Sequence, residues 1–322
     1  MLTRRTALAT TTLLAAPAIV RAQSWPSRPV TIIVPWAAGG GADTVTRIIA
    51  AGLEREMPQP VNVVNRTGGN GVVGHVFIAN AAPDGYTIGV GTSEIANFKV
   101  LGQSDITPAS YDLISRISLI PAGVTVKAGG PWPDFAAFAS ALKEGRKGQF
   151  TGSGVGTGGA WHLAAAGMTR AMGLEADRIR WVPSQGGAPA LQDLVAGGIN
   201  MFTGSPVEAK GLADAGQVRV VATMGSARMG LFPDAPTLKE LGLDWTFENW
   251  FGFVAPRDIP APVRARLVEA LAKAHARADV QEMMRARGIV PIWERSEAFA
   301  AFASQASETN AALLRDLGLV RS

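Results

Sequence analysis

From Trp25 onward, apolar and polar positions alternate between strand-like and helix-like spacing. Val30–Val34 (VTIIV) is apolar at every position but Thr31, suited to a strand covered on both faces. A turn rich in glycine follows at 35–41. Over 42–56 the residues Val45, Ile48, Ile49 and Leu53 recur at helical spacing. Residues 61–64 read as a second strand, 65–71 as a polar loop, 72–81 as a helix, Pro83-Asp84-Gly85 as a turn and 86–90 as a third strand. This β-α-β-α-β order with short connections predicts a parallel sheet covered by helices.

The pattern changes at 114–126, a β-rich stretch broken by Pro121-Ala122-Gly123. A second series then begins, with helices at 135–142, 161–172, 189–195 and 207–215 and strands at 149–151, 178–182, 200–203 and 218–223. Helices at 261–276 and 280–287, a strand at 289–293 and an amphipathic helix at 296–317 complete the chain. At 322 residues the chain has the length of about two domains. The fold class expected is α/β with two lobes joined by two strand-like crossings. One lobe takes 23–122 and 225–322, the other 123–224.

Residues 1–22 read differently. Arg4 and Arg5 precede an uncharged stretch of 15 residues rich in Thr and Ala, and Val20-Arg21-Ala22 ends on a small residue. This is the layout of a secretory signal peptide, with a twin-arginine-like start, and it predicts a soluble protein in the periplasm. The net charge of +4 includes three arginines from this segment. Without them 27 basic residues face 26 acidic ones, which lacks the footprint of nucleic-acid binding.

Several chemistries find no residues. There is no cysteine, which excludes disulfides, thiol catalysis and thiolate metal sites. His75, His162 and His275 share no metal-ligand spacing, so neither a metal nor a catalytic centre is expected. Neither Gly-x-Ser-x-Gly nor a Gly-Lys P-loop occurs, and Asn65-Arg66-Thr67 is a glycosylation pattern by chance. Gly154-Val155-Gly156-Thr157-Gly158-Gly159 matches a dinucleotide fingerprint and raises a nicotinamide-dependent oxidoreductase as an alternative. Its carboxylate candidates Glu175 and Asp177 precede the next strand, whereas a ribose-binding carboxylate stands at that strand's end. No cofactor is therefore expected.

What the chain does carry is glycine-rich turns at strand ends, several opening helices. They are 38–41, 65–71, Gly91-Thr92-Ser93, 152–159 and Gln185-Gly186-Gly187. A helix N-terminus offers unpaired N–H groups and a positive dipole end, and glycine lets a ligand approach them. Taken singly, each turn is explained by tight geometry alone. Together, at the carboxyl ends of strands, they predict a shared anion site built from neutral donors.

Particular residues resemble a known family. Trp25-Pro26-Ser27-Arg28-Pro29-Val30, then 34–43 (VPWAAGGGAD), Val64-Asn65-Arg66 and 81–87 (AAPDGYT) are similar to the Bug-type extracytoplasmic solute receptors of tripartite tricarboxylate transporters. The resemblance continues through Gly156-Thr157, His162-Leu163-Ala164, 186–191 (GGAPAL), 232–237 (FPDAPT), Trp250-Phe251-Gly252 and Ala255-Pro256. It implies a type II periplasmic-binding-protein fold, each lobe a mainly parallel sheet flanked by helices. A small organic carboxylate would bind between the lobes. The implied partner is the membrane permease, with a sensor kinase as the alternative, and the receptor itself would be monomeric and no enzyme. The implied contacts are Trp36, Gly39, Gly40, Gly41 and Asp43, with Gly156 and Thr157. The turns add Thr92, Ser93, Gly158, Gln185, Gly186, Gly187 and Ser205. Asp43 also suits a helix's first turn, where an acid complements the dipole. This chain departs from the family at Trp36-Ala37-Ala38, in the interval before His162 and at Thr203-Gly204-Ser205. Bulk from Trp36 and Trp161 points to a smaller or aromatic acid.

Overall fold

The computed structural model describes residues 25–320, so the signal-peptide reading of 1–22 lies outside the described residues. The chain opens with β1 (Val30–Val34), α1 (Gly41–Leu53), β2 (Val61–Asn65), α2 (Val72–Ala79) and β3 (Thr87–Thr92). β1 lies between β2 and β3 and runs parallel to both, with Ile32 opposite Val63 and Ile88. Its apolar residues are buried on both faces, with Thr31 half-buried. Val30, Ile32 and Val34 pack with Val45, Ile49 and Leu53 of α1, while Ile33 packs with Ile78 of α2.

β4 (Tyr111–Pro121) leaves this sheet, and after Ala122 the chain enters the second one at β5 (Gly123–Lys127). There follow α3 (Phe135–Glu144), β6 (Thr151–Ser153), α4 (Ala160–Ala171), β7 (Arg180–Trp181), α5 (Gly187–Ala196), β8 (Met201–Gly204), α6 (Pro206–Asp214) and β9 (Val218–Thr223). The strands stand in the order β7-β6-β8-β5-β9. β6 is parallel to β7 and β8, whereas β5 is antiparallel to β8 and β9. Phe138, Leu142, Met168 and Met201 fill its core.

The return segment 224–247 packs on this second lobe. Leu238 is buried in the same core as Phe138, and the Leu238 N–H donates to the Thr223 carbonyl at 2.8 Å. β10 (Glu248–Pro256) inserts between β3 and β4, antiparallel to both. α7 (Ala261–Ala276), α8 (Ala278–Ala286), β11 (Val290–Arg295) and α9 (Ser296–Asp316) finish the lobe, with β11 antiparallel to β4 at the edge. The first sheet thus reads β11-β4-β10-β3-β1-β2. Each βαβ portion is parallel as expected, and the crossing strands add the antiparallel pairings.

The two crossings are tied side by side. The Ala122 N–H donates to the Phe247 carbonyl at 2.9 Å, the Met224 N–H to Ala122 at 2.7 Å and the Phe247 N–H to Met224 at 2.8 Å. The chain thus crosses between the lobes twice, at Ala122 and Phe247, and Met224 of the second lobe bonds to both crossings.

Candidate functional site

The carboxyl ends of β1 and β3 face the N-termini of α5 and α6 across the gap between the lobes. A cavity of about 40 Å³ lies there. Trp36, Gly40, Gly41 and Glu94 line it from the first lobe, Val155, Trp161, Gly187 and Glu208 from the second. Asn249 and Phe251 of β10 close it. That volume suits roughly three waters, against the hundreds of Å³ of a typical ligand pocket. The lobes are closed on each other. Trp36 joins both cores, and its indole N–H donates to Thr92 Oγ1 at 3.2 Å.

The residue before helix α1, Gly40, has no side chain to cap it, so the first-turn N–H groups need partners from elsewhere. The Gly41 N–H finds one across the cleft, donating to Glu208 Oε1 at 3.0 Å. The reciprocal arrangement exists at α4, whose Ala160 N–H donates to Glu94 Oε1 of the first lobe at 3.1 Å. Each lobe therefore places one carboxyl at a helix N-terminus of the other, where the dipole favours negative charge. Thr92 Oγ1 donates to the second oxygen of Glu94 at 2.5 Å. Glu208 Oε2, by contrast, is buried without a partner, as is Asn249 Oδ1. Burial pushes the Glu208 carboxyl up to about 7, against the pull of the Gly41 N–H. Burial also raises Glu94, opposed by its Thr92 and Ala160 donors. A Cβ at position 187 would lie 1.4 Å from Glu208 Oε2, so a side chain there would displace the Glu208 carboxyl.

The sequence-predicted residues divide into three groups. Trp36, Gly40, Gly41, Gly186 and Gly187 line the cavity. Asp43, Thr92, Gly156, Thr157 and Gly158 serve internal or lobe-to-lobe contacts. The Asp43 carboxylate accepts from the Gly39 N–H, Arg47 and Asn65, and these donors hold it below its ordinary range although burial opposes them. The Thr157 and Gly158 carbonyls accept from Gln103 at 3.5 Å and Asn97 at 3.4 Å of the first lobe, and Gly156 abuts Asn70. Gly39 and Gln185 are exposed turn residues, whereas Ser93 and Ser205 are buried beside other elements. None of these four lines the cavity. Glu94, Glu208, Asn249 and Phe251 were not anticipated. The fingerprint glycines have packing reasons: a Cβ on Gly154 would lie 2.0 Å from the Thr203 carbonyl oxygen of β8. His162 accepts the Gly158 N–H at 3.0 Å and stacks on Trp181, so burial, which pushes it down to about 4, leaves it a neutral helix-start residue.

Two α/β lobes on a two-stranded bridge, with strand ends and helix N-termini facing a central cleft, define a solute-binding protein of the periplasmic type. The family is equally plain. The model of the tripartite tricarboxylate transporter family receptor matches residues 45–319, and the chain belongs to that family. A UPF0065 protein from the TAR-I ttuE-ttuC' intergenic region of Agrobacterium vitis is 33% identical over 289 residues, covering 88% of this chain and 82% of that protein. Among solved structures, the periplasmic binding protein BugD is similar with a TM-score of 0.84 and 26% identity, covering 92% of this chain and all of that one. MatC from Rhodopseudomonas palustris, solved with bound malate, gives a TM-score of 0.78 and 26% identity over 90% of this chain and 99% of that one.

Proposed function

We propose that this protein is a periplasmic receptor that captures a small organic acid in the cleft between its lobes and hands it to a tripartite tricarboxylate transporter permease. The observation that carries the reading is the meeting of the N-termini of α1 and α5 at a carboxyl group. Gly41 donates to it and Gly187 lies against it. Today that carboxyl belongs to Glu208. An acid ligand meets the same dipole ends and the same first-turn N–H groups once the lobes part. Family membership and the malate carried by MatC support the class of ligand. Trp36, Trp161 and Phe251 supply apolar walls that exclude water around it. The bridge at Ala122 and Phe247 is the hinge about which the lobes close.

Native mass spectrometry of freshly purified protein, followed by thermal-shift titration with mono-, di- and tricarboxylates, tests this. A co-purified or added acid is expected to raise the melting temperature and change tryptophan fluorescence, since Trp36 and Trp161 wall the cleft. A protein that carries no acid and responds to none would overturn the receptor reading. Pull-down against the permease subunits checks the partner.

A further inference from the structure

We infer that Glu208 sets the charge class of the ligand: the cleft takes a small organic acid that also carries a protonated nitrogen, and turns away acids whose only charged groups are carboxylates. The inference rests on the receptor reading above and narrows it.

The argument is a count of donors and acceptors. No Lys, Arg or His lines the cavity among the described residues, whereas two carboxyls, Glu94 and Glu208, do. Glu94 has a donor on each oxygen, so it asks nothing of a ligand. Glu208 has a donor on Oε1 alone; Oε2 is buried and has no partner. Asn249 Oδ1, on the same cavity wall, is likewise buried and unpaired. A buried acceptor without a donor is unfavourable, and a buried carboxylate more so. Beside these acceptors the first turn of α5 offers the Gly187 and Ala188 N–H groups, which no bond within the helix can use.

The cleft therefore presents helix-terminal donors for one carboxylate next to acceptors that lack donors. A ligand bearing both a carboxylate and an ammonium group satisfies both sets and balances the Glu208 charge. A second carboxylate would add another acceptor and a like charge beside a buried carboxyl. The apolar remainder of the wall, Trp36, Trp161, Val155 and Phe251, offers nothing to neutralise it.

The test is calorimetric titration of the full mature protein at neutral pH with matched acids: 4-aminobutyrate against succinate, and aspartate against malate. At least one nitrogen-bearing acid is expected to bind tenfold or more tightly than its partner. In Glu208→Gln, which keeps the shape packed on Gly187, that acid should weaken at least tenfold while its carboxylate-only partner gains. The wild-type comparison stands even if the variant folds poorly. Tighter binding of succinate or malate by the wild type would overturn the inference while leaving the receptor reading intact. A preference unchanged in Glu208→Gln would do the same. If neither series binds and native mass spectrometry finds no co-purified acid, both readings fall.

Discussion

At the scale of single residues, the buried carboxyl of Glu208 links the cleft to pH. Its folded value, about 7, stands above the 4.5 of an unperturbed glutamate, so the folded protein holds this proton more tightly than the unfolded chain. Below pH 4.5 both states are protonated and the group is neutral in effect. As pH rises from 4.5 through 7 the folded state loses stability relative to the unfolded, and the loss is complete above 7. Its full size is about 3 kcal/mol. His75 and His162 act in the opposite sense. Burial pushes each down to about 4 from 6.5, so their contribution is present above 6.5 and lost as pH falls toward 4. The two effects overlap and mask each other in the wild-type profile. The difference between Glu208→Gln and wild type isolates the first. Urea unfolding across pH 4.5–8 should show the variant gaining on the wild type by about 3 kcal/mol over that range. A pH-independent difference would mean that the carboxyl keeps its ordinary acidity.

At the scale of elements, local pattern was legible and long-range pairing was not. The run Val218–Thr223 and the helix Ala261–Ala276 stand where the apolar spacing places them. β10 was not anticipated, although Trp250-Phe251-Gly252-Phe253-Val254-Ala255 is as apolar as β1. A short apolar run does not reveal its period, and β10 has no helix after a short turn to mark it as part of a βαβ unit. Its partners β3 and β4 lie far earlier in the chain, so nothing local announces the pairing. The same logic separates the site residues. Glycine turns brought Gly40, Gly41, Gly186 and Gly187 to notice because glycine's signal is local. Glu208 sits in the first turn of α6, where an acid is explained by the dipole alone, and only the docking of the lobes sends it to Gly41. β10 also makes a sharp prediction. Phe253 is wholly buried in the middle of the first sheet, so Phe253→Ala should lower stability by about 3–5 kcal/mol, measured by urea unfolding. A loss under about 1 kcal/mol would show β10 to be dispensable to that core.

At the scale of the whole molecule, the receptor proposed above couples ligand entry to lobe separation, because its cleft is closed and its bridge narrow. The cavity of about 40 Å³ is too small for a four-carbon acid, and its walls come from both lobes. Between the lobes, a few hydrogen bonds stand beside the apolar cluster of Leu101, Leu163 and Leu314. Glu208 reaches Gly41, Glu94 reaches Ala160, and Asn97 and Gln103 reach the carbonyls of Gly158 and Thr157. Such contacts exchange readily for water, whereas Leu101, Leu163 and Leu314 pack across the lobes and Trp36 joins both cores, so opening also exposes apolar surface. The absence of cysteine permits a direct test, because an introduced pair reacts alone. Gln103 is exposed and Thr157 engages through its main-chain carbonyl, so both side chains can be replaced without touching the cavity wall. A Gln103→Cys, Thr157→Cys protein joined by a short reducible bifunctional reagent should lose uptake of any acid that the untreated protein binds. Reduction should restore it to the untreated level. If the cross-linked protein takes up the acid at the same rate and affinity, the ligand enters by a route that leaves the lobes together. The bridge at Ala122 would then be a tether and not a hinge.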